Sequence, residues 1–169
     1  MTYTWCMRAN AVGKKCSEVE RAYIAGFLDA DGCVTATIEP HPGKRYGFRV
    51  RVGIKVTQHD RKILDWIQRK LCVGIVRANR LGDERQTFDL HIRDRVHVRE
   101  ILIVLMPHLR VKNTQARMAL KILDSTINSA KDLIRNARVA DALSRFNVRS
   151  KNRRKNFVSK VQEHLSSND

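Results

Sequence analysis

The chain has 169 residues and is 43% hydrophobic, which suits one domain with a small appendage and allows a buried core. No apolar run approaches the about 20 residues of a membrane span and no secretory leader is visible, so a soluble intracellular protein is expected, in a prokaryotic cytoplasm or an organelle. The net charge of +16, from 33 Lys+Arg against 17 Asp+Glu, repels itself unless an anion is bound; it points to nucleic acid and argues against a membrane, because no helix pairs a basic face with a strongly apolar one.

Residues 1–16 carry no pattern and read as a leader. "SEVE" then forms a capping box, with Ser17 covering the first amides and Glu20 reaching back, so a helix is expected over 18–30. Within it Ala22, Gly26 and Ala30 recur at i, i+4 and i+8, a stripe on which a second backbone can approach closely. Tyr23, Ile24, Phe27 and Leu28 fill most of the rest, so the helix is expected to be sandwiched between its own sheet and another body. Gly32 suits a left-handed C-cap. Asp31 then sits at the helix C-terminus, the wrong end for an anion because the carbonyl dipoles already make it negative. A bound cation resolves that conflict, and carboxylate plus carbonyl oxygens suit Mg²⁺. Taken alone, D-x-D-G is more simply a helix-ending turn with a surface acid.

"CVTATIE" (33–39) alternates, Val34, Ala36 and Ile38 against Cys33, Thr35, Thr37 and Glu39. After the turn cluster "PHPGK", "FRVRVGIKVT" (48–57) alternates again. Phe48, Val50, Val52, Ile54 and Val56 form an oily side, and Arg49, Arg51 and Lys55 a cationic one, unrelieved by acids along that strand. Residues 59–71 are helical, with Ile63, Leu64, Ile67 and Leu71 in phase. "VGIVRANR" and "RQTFDLHI" make a second hairpin with Leu81, Gly82 and Asp83 in its turn, and Phe88, Leu90 and Ile92 oppose Thr87, Asp89 and His91. Helices follow over 93–106, ended by Pro107, over 113–127 and over 131–147. The basic stretch from 149 reads as a solvated or frayed helix. The expected fold is α+β: α-β-β-α-β-β-α plus C-terminal helices, an antiparallel four-stranded, saddle-like sheet with helices on one face. Residues 1–16, 17–148 and 149–169 are leader, domain and basic tail.

A two-stranded ribbon fits the major groove of B-DNA. Arg49, Arg51, Lys55 and Arg77 are candidate guanine readers or phosphate contacts, and Thr35, Thr37, Asn79, Thr87 and Asp89 can take other base edges. Cys6, Cys16, Cys33 and Cys72 form no C-x-x-C pair, which favours free thiols over zinc. The six histidines are scattered and read as solvated or polar-face residues.

The run Ile24-Ala25-Gly26-Phe27-Leu28-Asp29-Ala30-Asp31-Gly32 resembles the signature of the LAGLIDADG homing endonucleases, with apolar exchanges at positions 24, 27 and 28. Two strands, a helix and two more strands follow it as in that family, and the resemblance spans roughly residues 18–147. It implies the homing endonuclease fold, in which signature helices pack through their small residues and bring acids together at the DNA minor groove. Asp31 matches the metal-binding acid and the Ala30 carbonyl a second metal contact, while Asp29 takes a structural role. "KVTQHDRK" matches the segment that orients water, pointing to Gln58, with a basic residue at Lys62; "LRVKNTQA" points to Lys112 near the scissile phosphate. With one signature helix, the resemblance implies a homodimer joined at Ala22, Gly26 and Ala30. It would bind a long pseudo-palindromic duplex and cut both strands with Mg²⁺ (Mn²⁺ able to substitute), leaving 3′ overhangs, in intron mobility. The alternatives are an intron maturase that binds intron RNA, a cleavage-inactive DNA-binding protein of the same fold, and a basic structural ribonucleoprotein component.

Overall fold

The computed structural model describes residues 16–79, 86–147 and 155–167. Residues 1–15 of the leader and the expected turn at Leu81, Gly82 and Asp83 lie outside the described residues. The elements are α1 (Glu18–Asp31), β1 (Gly32–Pro40), β2 (Phe48–Gln58), α2 (Arg61–Leu71), β3 (Ile75–Asn79), β4 (Thr87–Ile92), α3 (Arg95–Leu105), a 3-10 turn (Met106–His108), α4 (Asn113–Leu123), α5 (Ala130–Asn147) and α6 (Phe157–Ser166). The strands form one sheet in the order β1-β2-β4-β3. This is the expected α+β architecture.

Two compact units share the chain. The first comprises Met1–Cys33 and Gly53–Asn113. Its helix α1 begins as the sequence indicates: Ser17 Oγ accepts from the Glu20 amide at 3.3 Å, and Glu20 Oε2 accepts from the Ser17 amide at 2.9 Å. Asp60 and Asp94 cap α2 and α3 in the same way through their carboxylates. Register places Ile54 opposite Ile92 and Val56 opposite Leu90, so their buried side chains share a face. Leu64, Ile67 and Leu71 of α2 and Val98, Ile101, Leu102 and Leu105 of α3 complete this core. Burying a side chain of this size is worth about 1.5–3 kcal/mol.

The second unit comprises Val34–Val52 and Thr114–Asp169. Val34, Ala36, Ile38, Phe48 and Val52 are buried as alternation requires, together with Ile122, Leu133, Ala137 and Leu143. The turn between β1 and β2 closes through His41 N–H to Gly47 O at 2.8 Å. The basic tail does more than expected: its described part is α6, packed on α5 with Phe157 and Val161 buried. Asp141, only 8% exposed, anchors it by accepting the Phe157 and Val158 amides at 2.7 and 3.1 Å.

Two further expectations are corrected, at Gly32 and at Cys72. Gly32 ends α1 with φ −90° and ψ 167°, an extended rather than a left-handed cap. Glycine is required there by space, since a Cβ would lie 2.4 Å from Leu28 Cδ1 and 2.6 Å from Leu28 O. As expected, α3 ends just before Pro107, at Leu105; the proline itself sits inside the 3-10 turn that follows, where its missing amide costs no hydrogen bond. Cys72 is disulfide-bonded, whereas Cys16 and Cys33 are free.

Candidate active site

Helix α1 buries one side, Ile24, Ala25 and Leu28, and leaves the other open. Ala22, Gly26 and Ala30 are all exposed, with Val19 and Tyr23 beside them at 79% and 52%. A Cβ on Gly26 would meet nothing within 4 Å. No contact within the described chain therefore explains a mid-helix glycine, which costs about 0.5–1 kcal/mol relative to alanine. The expected sandwiching is met on one side only.

The two acids at the end of α1 differ sharply. Asp29 is consumed by its own chain: Oδ2 accepts the Arg110 and Val111 amides at 2.6 and 3.1 Å, and Oδ1 the Lys112 amide at 2.8 Å. Burial pushes its carboxyl up, but the amides of Arg110, Lys112 and Val111 and the Lys112 charge outweigh this and hold it below the ordinary carboxylate range. Lys112 also donates from Nζ to the Asp29 backbone oxygen, which brings its ammonium to the end of the helix. Asp31 is exposed, with Gln58 Nε2 donating to its Oδ2 at 2.6 Å. Gln58 continues the inward-facing series Ile54 and Val56 on β2 and ends it, so its amide reaches α1 rather than the polar sheet face.

Asp31, Gln58 and Lys112 thus meet at one helix end. Lys62 is not visibly drawn in: its side chain is exposed on the first turn of α2, where its amide donates to Asp60 Oδ1 at 2.8 Å. Cys33, expected from the sequence only as a free thiol, adjoins the site. Burial raises its thiol pKa, opposed by the charges of Lys55 and Lys112.

The cationic strand face is less bare than expected. In the second unit Glu39 Oε2 accepts from Arg49 Nη2 at 2.9 Å and lies 3.7 Å from Arg51 Nε, while Thr37 Oγ1 donates to Glu39 Oε1 at 3.2 Å. Burial pushes Glu39 up, and Arg49 and Arg51 pull it lower overall. In the first unit Asp89 is 6% exposed. It accepts from Thr57 Oγ1 at 2.6 Å and Lys55 Nζ at 3.3 Å, so this carboxylate holds other side chains in place rather than offering a free edge to a base. Acids do relieve Arg49, Arg51 and Lys55; periodicity along one strand could not reveal it, because the partners come from neighbouring strands. Thr35 lies half-buried on β1, and on the β3–β4 pair Arg77 stands opposite Asp89 and Asn79 opposite Thr87.

A single chain offers a metal few protein ligands. Among the described residues no group of three or more His, Cys, Asp or Glu is placed to hold an ion. One exposed carboxylate at a helix end rich in carbonyl oxygens fits Mg²⁺, which keeps several waters and takes one or two carboxylates.

The family model for LAGLIDADG endonuclease matches residues 24–121. The chain belongs to the LAGLIDADG endonuclease family. Among curated LAGLIDADG relatives, the DNA endonuclease I-CreI of Chlamydomonas reinhardtii is 30% identical over 112 residues, 65% of this chain and 65% of that protein. The DNA endonuclease I-CvuI of Chlorella vulgaris is 32% identical over 114 residues, 66% of this chain and 68% of that one. A crystal structure of I-CvuI in complex with the I-CreI target, in the presence of magnesium and with the DNA not cleaved, superposes with a TM-score of 0.77 at 28% identity. That match covers 89% of this chain and 94% of the I-CvuI chain. No helix among the described residues is long and apolar enough to cross a membrane.

Proposed function

We propose that this LAGLIDADG chain is a site-specific DNA endonuclease that acts as a homodimer on a long pseudo-palindromic duplex. It hydrolyses one phosphodiester on each strand and leaves 3′ overhangs, as intron mobility requires. The observation that carries this is Asp31, an exposed acid at a helix C-terminus with Gln58 donating to it at 2.6 Å. The exposed small-residue stripe supports the dimer, because two-fold packing of α1 on its copy would bring two Asp31 side chains together.

Asp31 and the Ala30 carbonyl would hold Mg²⁺, which when bound supplies charge neutralisation and an activated water. Gln58 orients the attacking water through its side-chain amide. Lys112, fixed by its hold on the Asp29 carbonyl, sets positive charge beside the phosphoryl group, and Lys62 adds a more distant one. The water oxygen bonds to phosphorus as the bond to the leaving oxygen breaks. Arg49, Arg51, Lys55, Arg77, Asn79, Thr35, Thr37 and Thr87 contact bases and backbone, with Glu39 and Asp89 setting the geometry of the cations.

A cleavage-site selection on a random duplex library, with Mg²⁺, with Mn²⁺ and with chelator, tests this directly. The expected product is one two-fold-symmetric site family cut on both strands only when metal is present. Absence of cut duplex at any metal concentration, by protein shown to be folded, would overturn it.

A further inference from the structure

At the end of the β3–β4 pair lies a notch of about 260 Å³, lined by Gly74, Arg77, His91, Arg93, Asp94 and His97 among others. Four nitrogen-bearing side chains meet one carboxylate there, and that carboxylate is already engaged. Asp94 Oδ1 accepts the Val96 and His97 amides at 3.0 Å each, and His97 Nδ1 lies 3.5 Å from it. Neither Arg77 nor Arg93 has a carboxylate partner among the described residues; both are exposed at the rim.

Register fixes which way the notch faces. His91 stands opposite both Lys55 of β2 and Ile75 of β3, and Arg77 opposite Asp89, so His91 and Arg77 lie on the polar face with Lys55. Gly74 shapes the floor: its φ is +97°, and a Cβ would lie 2.8 Å from Leu90 Cδ1 and 2.9 Å from Ile92 Cγ1. Only glycine lets the chain turn this close to β4.

We propose that this notch is a phosphodiester clamp, in which the Arg77 and Arg93 guanidiniums grip a backbone phosphate and the His91 imidazole hydrogen-bonds it. Guanidinium forks match phosphate oxygens in geometry and charge. This assignment rests on the DNA-binding reading and adds a contact carrying no sequence information. The groups facing His91 agree with an anion arriving. Burial pushes its pKa down first, then Arg93; Asp89 on its own strand opposes them, and Lys55 and Arg77 lower it further. His97 of α3 and Asp94, the N-cap of that helix, also face the notch. These surroundings favour the neutral imidazole in the free protein, and a phosphate would favour its protonated form. Affinity gained from that proton is full below the free-state pKa and is lost as pH rises through the bound-state pKa.

The test compares wild type, Arg93→Gln, His91→Asn and the charge-matched control Arg135→Gln, whose guanidinium pairs with Asp132 on α5. Binding of a random-sequence duplex is followed by fluorescence anisotropy against salt and pH. Arg93→Gln should flatten the slope of log affinity against log salt by about 0.9, one phosphate's worth, and Arg135→Gln should leave it unchanged. His91→Asn should remove the gain in affinity below neutral pH. In labelled wild type, the imidazole signal should move toward the protonated form on adding duplex. If inorganic phosphate alone moves it equally while the Arg93→Gln slope matches wild type, the notch is a free-anion site and the clamp is overturned. Wild-type binding with unaltered slopes in both variants overturns the clamp but leaves the DNA reading standing. Wild type that binds no duplex overturns both.

Discussion

Asp29 and Asp31 are two residues apart on one helix end, and their surroundings could hardly differ more. Asp29 accepts three backbone amides and fixes the 110–112 segment. Asp31 is exposed and has one side-chain donor, Gln58. A carboxylate saturated by amides is already satisfied and contributes to the fold. One left open at the negative end of a helix gains from a cation instead. The contrast separates architecture from chemistry within a single turn.

The largest expected effect comes from the open acid. Asp31→Asn should lower cleavage by at least about 10³-fold, while duplex affinity and melting temperature stay close to wild type. Quantitative cleavage beside a binding titration checks this, and an active variant would remove Asp31 from the mechanism. Gln58→Leu should follow, with a loss of about 10²-fold in rate and little change in binding, because on the proposed mechanism it removes the group that orients water but not the metal-binding acid. A loss in affinity as large as the loss in rate would recast Gln58 as a contact residue.

Next in size is the open side of the same helix. Gly26→Leu has room in the isolated chain, so it should fold normally. In a two-fold seam it would overpack, at about 1–3 kcal/mol, weakening the dimer by roughly 5- to 150-fold. Sedimentation over a range of concentrations reads this out. A wild-type monomer at all concentrations, with and without DNA, would overturn the seam.

Much of this contrast was legible in the chain. The capping box, the alternation of 33–39 and 48–57, and the signature run gave the elements and singled out Asp31. What stayed hidden depends on which strands are neighbours. Glu39 pairs with Arg49 across ten positions of sequence, and Asp89 with Lys55 across thirty-four, so one-strand periodicity showed cations without their acids. His91 looked like an ordinary polar-face residue until register set it opposite Lys55. The tail was read from its charge, but Phe157 and Val161 at helical spacing of four were the signal for α6 packing, and Asp141 supplied the cap from a distant stretch.

The smallest effect tests the closed acid. Asp29→Asn keeps the size but loses the charge and turns one accepting oxygen into an NH2 that cannot accept, so either the Lys112 amide or those of Arg110 and Val111 lose their partner, at a cost of about 1 kcal/mol after allowing for partial exposure. The sign of the pH dependence follows from the depressed folded-state pKa. Stability from this charge is fully present above the unfolded value near about 3.9 and is lost as pH falls through the folded value below it. Urea midpoints for wild type and variant should therefore differ at neutral pH and converge under strongly acidic conditions. Cleavage should fall only modestly, since the effect reaches chemistry through the seating of Lys112. A midpoint difference that persists undiminished at the acid end would show that shape, not charge, holds the 110–112 segment.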